Sequence, residues 1–383
     1  MKKSNSIFGF LLASILLISV FESPFKPVAS QEDLAIPTTQ MAIVQDGNGG
    51  ADVLKLQEIP VLEPGPNEVL IKVVAAGINP IERRIREGEG GPGGGGGMGG
   101  PAMGAPAGGM GMGGPGGASG PTVPGGDLAG VIVKLGDGVD NVQVGDAVFA
   151  KMPFGAGGLN GAYSHYAVTT SDQIAPKPSD QTFAEAAGIA TVAMTAMRAL
   201  DYAEVKDGER VFINGISGGI GSSAAQIAMA RGAYVLGTAS ARHLDYLKSL
   251  GIPQVINYRE VQFDEVITEP VDVVIETVST ETANQALNIL KPAGRLVSIA
   301  GAADPELCQE KNVECARIGG NIGRTNKELL AEIYELAQEG KFRLNVDTTF
   351  PLAQAGEAQD QNYNVGTTGK VILIVDAELA DTK

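Results

Sequence analysis

The sequence predicts an α/β protein: a doubly wound parallel sheet joined to a second, barrel-like domain of short strands. Three observations predict it. From residue 211 onward, short apolar runs alternate with helical segments, the order that a parallel sheet with crossover helices requires. Between residues 41 and 176, short alternating runs are instead separated by turns rich in Gly and Pro. The 383 residues suffice for two such units, each with its own core.

The elements follow in order. Lys2 and Lys3 precede an uncharged apolar run, 7–20, a break at Glu22, Ser23 and Pro24, and the small residues of 28–30. This is the pattern of a signal peptide cut before Gln31, so residues 1–30 are read as a leader and the chain as exported, periplasmic or secreted. The alternative is an uncleaved membrane anchor, for which the run is short. Residues 41–44 and 53–58 are strand candidates, and 68–74 (EVLIKVV) alternates as a half-buried strand does. A short helix is expected over 81–87. Residues 88–121 are almost wholly Gly, Pro, Ala and Met, which cannot bury enough apolar surface to offset chain entropy, and are read as a disordered insertion. Its methionines (Met98, Met103, Met110, Met112) admit a soft-metal reading, but low-complexity drift is preferred.

Strands are expected again over 125–133, 145–149 and 158–168, and a helix over 183–202. The alternating part then reads strand 211–214, helix 222–231, strand 234–238, helix 241–250, strand 254–257, strand 271–276, helix 280–290 and strand 295–299. One more helix, 326–339, precedes a last strand over 369–375 that is expected to return to the first domain.

Composition excludes several partners. A formal charge of −16 argues against nucleic acid or an anionic membrane as the main partner. Two cysteines (Cys308, Cys315) and two histidines (His165, His243) are too few and too scattered for a structural zinc site, so no metal is expected. For the cysteines two readings stay open: a disulfide in an oxidising compartment, or two unpaired thiols. His243 is expected at the surface.

The chemistry centres on 211–223, VFINGISGGIGSS. An apolar strand ends at Asn214, and glycines follow at 215, 218 and 221. Gly215 permits a tight turn, Gly218 lets backbone approach a phosphate, and Gly221 lets the next helix pack on the strand. The N–H groups of Gly218, Gly219, Ile220 and Gly221 then face an anion at a positive helix end. Strand, glycine turn and helix in this order are what a dinucleotide pyrophosphate needs. At the end of the second strand, where an NAD site carries an acid, the chain reads GTASAR over 237–242. Ser240 can donate a hydrogen bond and Arg242 can supply charge to a 2′-phosphate, so NADPH is the expected cofactor.

Seven blocks together resemble the zinc-independent medium-chain dehydrogenases/reductases of the quinone oxidoreductase type: EVLIKVVAAGINP at 68–80, GGDLAG at 125–130, GDAVFA at 145–150, GAYSHYAV at 161–168, NGISGGIGSSAAQIA at 214–228, VINYRE at 255–260 and GRLVSIAG at 294–301. The resemblance spans about 41–375, interrupted by the glycine-rich segment. It implies a GroES-like catalytic domain (31–171 and 321–383) and a Rossmann domain (172–320), with cofactor and substrate in the cleft between them. It implies that Tyr258 meets the adenosine phosphate and that Ile299 and Gly301 pass the carboxamide. Zinc-containing relatives carry a Cys where this chain has Asn79 and a His near Gly126, so no zinc is implied. Relatives are often dimers, so the resemblance admits a homodimer and leaves the oligomeric state open.

The function expected is hydride transfer from NADPH to a quinone or an α,β-unsaturated carbonyl compound, a small-molecule substrate. Asn79, Tyr163 and Thr195 are the candidate catalytic residues: Asn79 as an amide donor, Tyr163 as donor or proton relay, Thr195 on the helix facing the cofactor. Each has a plainer alternative, as turn residue, strand aromatic and helix-packing residue. Asp127 and Glu82 are expected to hold the domain together. The alternative function is an exported, catalytically inactive relative that binds a nucleotide or ligand.

Overall fold

The computed structural model describes residues 35–89, 120–153, 158–320, 322–364 and 366–383. The leader segment, and all but the two ends of the glycine-rich segment, lie outside the described residues.

The first part holds β1 (Thr39–Gln45), β2 (Leu54–Pro60), β3 (Glu68–Gly77), α1 (Pro80–Arg86), β4 (Asp127–Leu135), β5 (Ala147–Lys151), β6 (Tyr166–Thr170) and β7 (Ile174–Pro176). The helical segment is split into α2 (Phe183–Ala187) and α3 (Ile189–Tyr202). Next come β8 (Arg210–Asn214), α4 (Gly219–Ala230), β9 (Tyr234–Ala239), α5 (Leu244–Ser249), β10 (Gln254–Asn257), α6 (Phe263–Val266), β11 (Val271–Glu276), α7 (Thr280–Ala286), β12 (Leu290–Ser298), α8 (Pro305–Glu310) and β13 (Glu314–Arg317). The chain closes with α9 (Asn326–Gln338), β14 (Val346–Pro351), α10 (Ala355–Asn364) and β15 (Lys370–Ile374).

Six strands form a parallel sheet in the order β10-β9-β8-β11-β12-β13. The chain runs outward from β8 to one side and from β11 to the other, so the switch point lies between these two strands, where ligands bind in open α/β sheets. Alternate residues supply the two faces. Val211, Ile213, Val235, Val273, Ile275 and Val297 pack with α3, α4 and α9. Phe212, Leu236, Val274 and Leu296 pack on the other side with Phe263, Ala283, Ala286 and Cys308. A strand buried on both faces must be apolar without alternation, as VFI and VVI are.

The second sheet has seven strands, β14-β15-β3-β4-β5-β7 with β6 also paired to β3. Its centre, β3, takes β15 from the end of the chain as an antiparallel neighbour through Gly77, Ala76 and Ala75. Its core includes Ile71, Val73, Leu128, Ile132, Val148 and Leu373.

Two of the departures from the sequence reading have a local cause. The strand expected over 158–168 begins only at Tyr166, because Ser164 spends its hydroxyl on the carbonyls of Gly161 and Tyr166 and holds a turn there. Side-chain bonds of this kind compete with ladder pairing. The helix expected over 183–202 breaks at Gly188, where a Cβ would stand 2.6 Å from Leu344 Cδ2. The box of Thr182 and Glu185 starts α2 by reciprocal bonds of 2.8 and 3.2 Å.

Candidate active site

Three glycines shape the turn after β8, each for its own reason. Gly215 has φ +77°, the left-handed region open to glycine, and a side chain there would meet Thr277 Oγ1 at 2.6 Å. At Gly221 a Cβ would stand 2.3 Å from Gly215 O and 2.8 Å from Ile216 Cα, so only glycine lets α4 come this close to β8. Gly218 differs: its φ is −72° and an added Cβ would meet only Gly215 O, at 3.6 Å. The open space over Gly218, at the first turn of a 12-residue helix, fits a pyrophosphate.

The turn is held from below by a buried polar chain. Gly215 N donates to Thr238 Oγ1 at 3.1 Å, Thr238 donates to Asn214 Oδ1, and Asn214 Nδ2 donates to Glu276 Oε2 at 2.9 Å. Glu276 has no exposed surface and also accepts from the N–H groups of Val278 (2.5 Å) and Ser279 (3.1 Å). Burial pushes its carboxyl above the usual range, opposed by these donors. Ile299 N donates to Glu276 O at 2.9 Å, and Ser298 Oγ donates to Gly301 O, so the 299–301 loop is pinned to the same strand end.

Beyond β9, Ser240 is buried and Arg242 is exposed. Tyr258 is half exposed, and its N–H donates to Ala239 O at 3.3 Å. Arg242 donates from Nη2 to Gly366 O and from Nε to His243 Nε2 at 3.0 Å. His243 is not at the surface as expected: it is 5 % exposed, because Thr368 Oγ1 lies 2.5 Å from its Nδ1 and covers it.

Residues 366–370 run from this corner to the other domain. Gly366 meets Arg242, Thr368 meets His243, and Gly369 N donates to Ser217 O at 2.9 Å beside the glycine turn. Lys370 then turns its ammonium away to Ile78 O and Asn79 Oδ1. Its stem lies 3.1 Å from where a Gly219 Cβ would be, and Val192 of α3 closes the other side at 2.9 Å.

Asn79 is 3 % exposed and engaged at both ends of its amide. Oδ1 accepts from Lys370 Nζ at 2.7 Å, and Nδ2 donates to Asp127 Oδ2 at 2.9 Å. A second hydrogen on Nδ2 is the one left for a ligand. Asp127 Oδ1 accepts from Thr191 Oγ1 at 2.6 Å and from Thr191 N at 3.1 Å, which fixes the first turn of α3. Thr195 stands one turn further along the same face, half-buried. Glu82 accepts from Asn79 N and Gly126 N, each at 2.9 Å, and from the Tyr163 hydroxyl.

Tyr163 has no exposed surface, and its hydroxyl is committed to Glu82. Burial, and then the charge of Glu82, push that hydroxyl well above its usual range, so it stays protonated. It supports Glu82 and Asn79 from behind as a buried aromatic, but it stands in the turn before β6 and not in a strand as the plainer alternative had it. Burial also raises Glu82 and lowers Lys370, each opposed by the other's charge. Lys151 Nζ donates to Gly126 O at 3.1 Å and to Met152 O, and burial lowers it to about 8.

Sequence reading assigned Asp127 and Glu82 a holding role and passed over Lys370, Lys151 and Glu276. A signal existed for two of them: one amine opening the apolar run KVILIV, and one acid closing VDVVIE.

Two family profiles match the chain. One, described as "Alcohol dehydrogenase GroES-like domain", matches residues 65–179; the other, "Zinc-binding dehydrogenase", matches 250–373. Zinc does not suit this site: an ammonium occupies the space beside Asn79, and among the described residues no group of three His, Cys, Asp or Glu could hold a metal ion. A quinone oxidoreductase from Mus musculus is 31% identical over 344 residues, covering 85% of this chain and 95% of its own. A chloroplastic NADPH-dependent alkenal/one oxidoreductase from Arabidopsis thaliana is 29% identical over 351 residues, covering 89% and 81%. The solved quinone oxidoreductase from Coxiella burnetii superposes with a TM-score of 0.72 at 30% identity, covering 88% of this chain and 99% of that one.

Proposed function

From a chain that belongs to the quinone oxidoreductase-like branch of the medium-chain dehydrogenase/reductase superfamily, and is an oxidoreductase using a nicotinamide cofactor, we propose a narrower activity. It reduces a quinone or an α,β-unsaturated carbonyl compound, and it uses NADPH. One observation carries the reading: residues 366–370 bring the glycine turn and Asn79 to the two ends of a single strap. NADPH rather than NADH is supported by the end of β9, where Ser240 and Arg242 stand and no acid does.

When bound, the cofactor supplies the hydride. The chain's own residues do the rest. Gly215, Gly218, Gly219, Ile220 and Gly221 shape and bind the pyrophosphate end, and Arg242 offers its outward N–H groups to a 2′-phosphate. Ile299 and Gly301 present backbone to the carboxamide. The free Nδ2 hydrogen of Asn79 donates to the oxygen on which charge develops, which stabilises it in a site largely closed to water. Lys370 and Asp127 hold that amide in one orientation, since Oδ1 must face the ammonium and Nδ2 the carboxylate.

The chain is further proposed to work outside the cytoplasm, as its leader segment suggests. The disulfide joining Cys308 to Cys315 supports an oxidising compartment. A substrate-sized partner and a two-fold dimer complete the proposal.

A second reading, a nucleotide-binding relative without turnover, has one observation in its favour: Asn79 and Tyr163 are 3 % and 0 % exposed. One experiment separates the two. Purified protein is titrated with NADPH and NADH by nicotinamide fluorescence, then assayed on a panel of quinones and enones. Sub-millimolar NADPH binding with turnover is expected; binding without turnover on any substrate selects the second reading, and no binding removes both.

A further inference from the structure

Arg242 is an exposed arginine at the end of β9, and a long, flexible cation of that kind does not by itself select a ligand. Here it is fixed. Its Nε donates to His243 Nε2 at 3.0 Å and its Nη2 to Gly366 O. Nε2 can accept only if it carries a lone pair, so the imidazole is neutral with its hydrogen on Nδ1. Nδ1 then donates that hydrogen to Thr368 Oγ1, the nitrogen and oxygen lying 2.5 Å apart. Thr368 is held in turn, its N–H donating to Asp347 Oδ1 at 3.0 Å and its carbonyl accepting from Asn345 Nδ2 at 2.6 Å. His243 is 5 % exposed, so its ring has little freedom to turn. Of the five guanidinium hydrogens, two are taken by the protein and three, on Nη1 and Nη2, remain on an exposed side chain. Hydrogens on both terminal nitrogens are what a guanidinium needs to grip a phosphate with two parallel bonds.

We propose that His243 is a specificity-determining residue: it positions Arg242 for the 2′-phosphate, and so sets the preference for NADPH over NADH without touching the cofactor. The inference rests on the reading that Arg242 binds that phosphate. Two things follow from the geometry. Loss of the imidazole acceptor frees Nε and lets the guanidinium rotate, which weakens the 2′-phosphate grip while leaving the rest of the nucleotide site alone. A side chain that can still accept from Nε restores it.

The test uses the full chain and two fragments as probes, 2′,5′-ADP and 5′-AMP, titrated by calorimetry at pH 7.5. The variants are Arg242→Ala, His243→Leu and His243→Gln, whose amide oxygen can accept from Nε. A hydrogen bond to a charged group is typically worth about 10- to 100-fold in affinity, so Arg242→Ala is expected to lose about that much for 2′,5′-ADP and little for 5′-AMP. His243→Leu is expected to lose about tenfold for 2′,5′-ADP alone, and His243→Gln to recover most of it. Thermal unfolding of each variant accompanies the titrations. If Arg242→Ala loses its preference but His243→Leu keeps it, or loses both probes equally, His243 has no positioning role and the proposal is overturned while the NADPH reading stands. If Arg242→Ala binds 2′,5′-ADP as well as the parent does, Arg242 does not bind the 2′-phosphate and the proposal falls with that assignment; a parent that binds both probes equally removes the NADPH reading itself.

Discussion

The ammonium of Lys370 lies 2.7 Å from Asn79 Oδ1, across 291 residues of sequence. With Lys151 it supplies the positive charge to a buried group that also holds Asp127 and Glu82, 0 % and 4 % exposed. Replacing Lys370 by Met removes one of the two ammonium groups whose charge acts on those carboxylates. Breaking a buried pair from one side typically costs about 3–5 kcal/mol, so a loss of that order is expected in urea unfolding. An unchanged midpoint would show that the three groups do not act together.

Gly218 and Gly221 should separate binding from folding. Gly221→Ala places a methyl 2.3 Å from Gly215 O, an overlap expected to cost about 1–3 kcal/mol of stability. Gly218→Ala meets nothing nearer than 3.6 Å and has an ordinary φ, so the fold should survive with its melting temperature nearly unchanged. The methyl then occupies the space assigned to the pyrophosphate, and NADPH affinity should fall. Unaltered affinity in folded Gly218→Ala would place the phosphates elsewhere.

Lys151 gives the structure a signature in alkaline stability. Burial lowers it from 10.5 to about 8. Between those values the unfolded chain keeps a proton that the folded chain has released, so this group favours folding increasingly as pH rises through the window. Its cost is felt in full below pH 8. Lys151→Met removes the titration. The stability of the variant relative to the parent should therefore fall by ~3 kcal/mol between pH 7 and 10.5. A difference that stays flat with pH would mean that the amine is not desolvated.

The bridge between Cys308 and Cys315 closes a short loop, with a sequence separation of 7. Loop-closure entropy for so short a span is worth about 2.5 kcal/mol, and the double variant Cys308→Ala/Cys315→Ala should lose no more than that. Thiol titration of the parent, unfolded without reductant, is expected to find no free sulfhydryl.

The parallel sheet was legible in the sequence because strands buried on both faces are short, apolar and bounded by turns, and VFIN and VDVVIE are unambiguous on that count. Gly215 and Gly221 were legible because each answers a steric demand of the turn, a positive φ in one case and the close approach of α4 to β8 in the other. Strands β7, β13 and β14 were not, since IAP, ECAR and VDTTFP owe their pairing to neighbours distant in sequence. The same is true of the polar cluster. Nothing local in GINP or GKVIL says that Asn79 and Lys370 meet, and Tyr163 looks like any aromatic in a strand until Glu82 is found behind it. His243 was taken for a surface residue because what covers it, Thr368, arrives from 125 residues away.

Because β15 follows the whole six-stranded sheet in chain order, the polar group around Asn79 is finished only after that sheet has been made. The glycine turn and the six-stranded sheet can assemble earlier, from residues that are contiguous between 210 and 317. Until residues 366–374 arrive, Asn79 lacks its ammonium, and β3 offers an unpaired edge at 75–77. An open edge of this kind invites pairing with other chains. A nascent or truncated polypeptide that stops before residue 366 is therefore vulnerable to aggregation through that edge, although its six-stranded sheet is already whole.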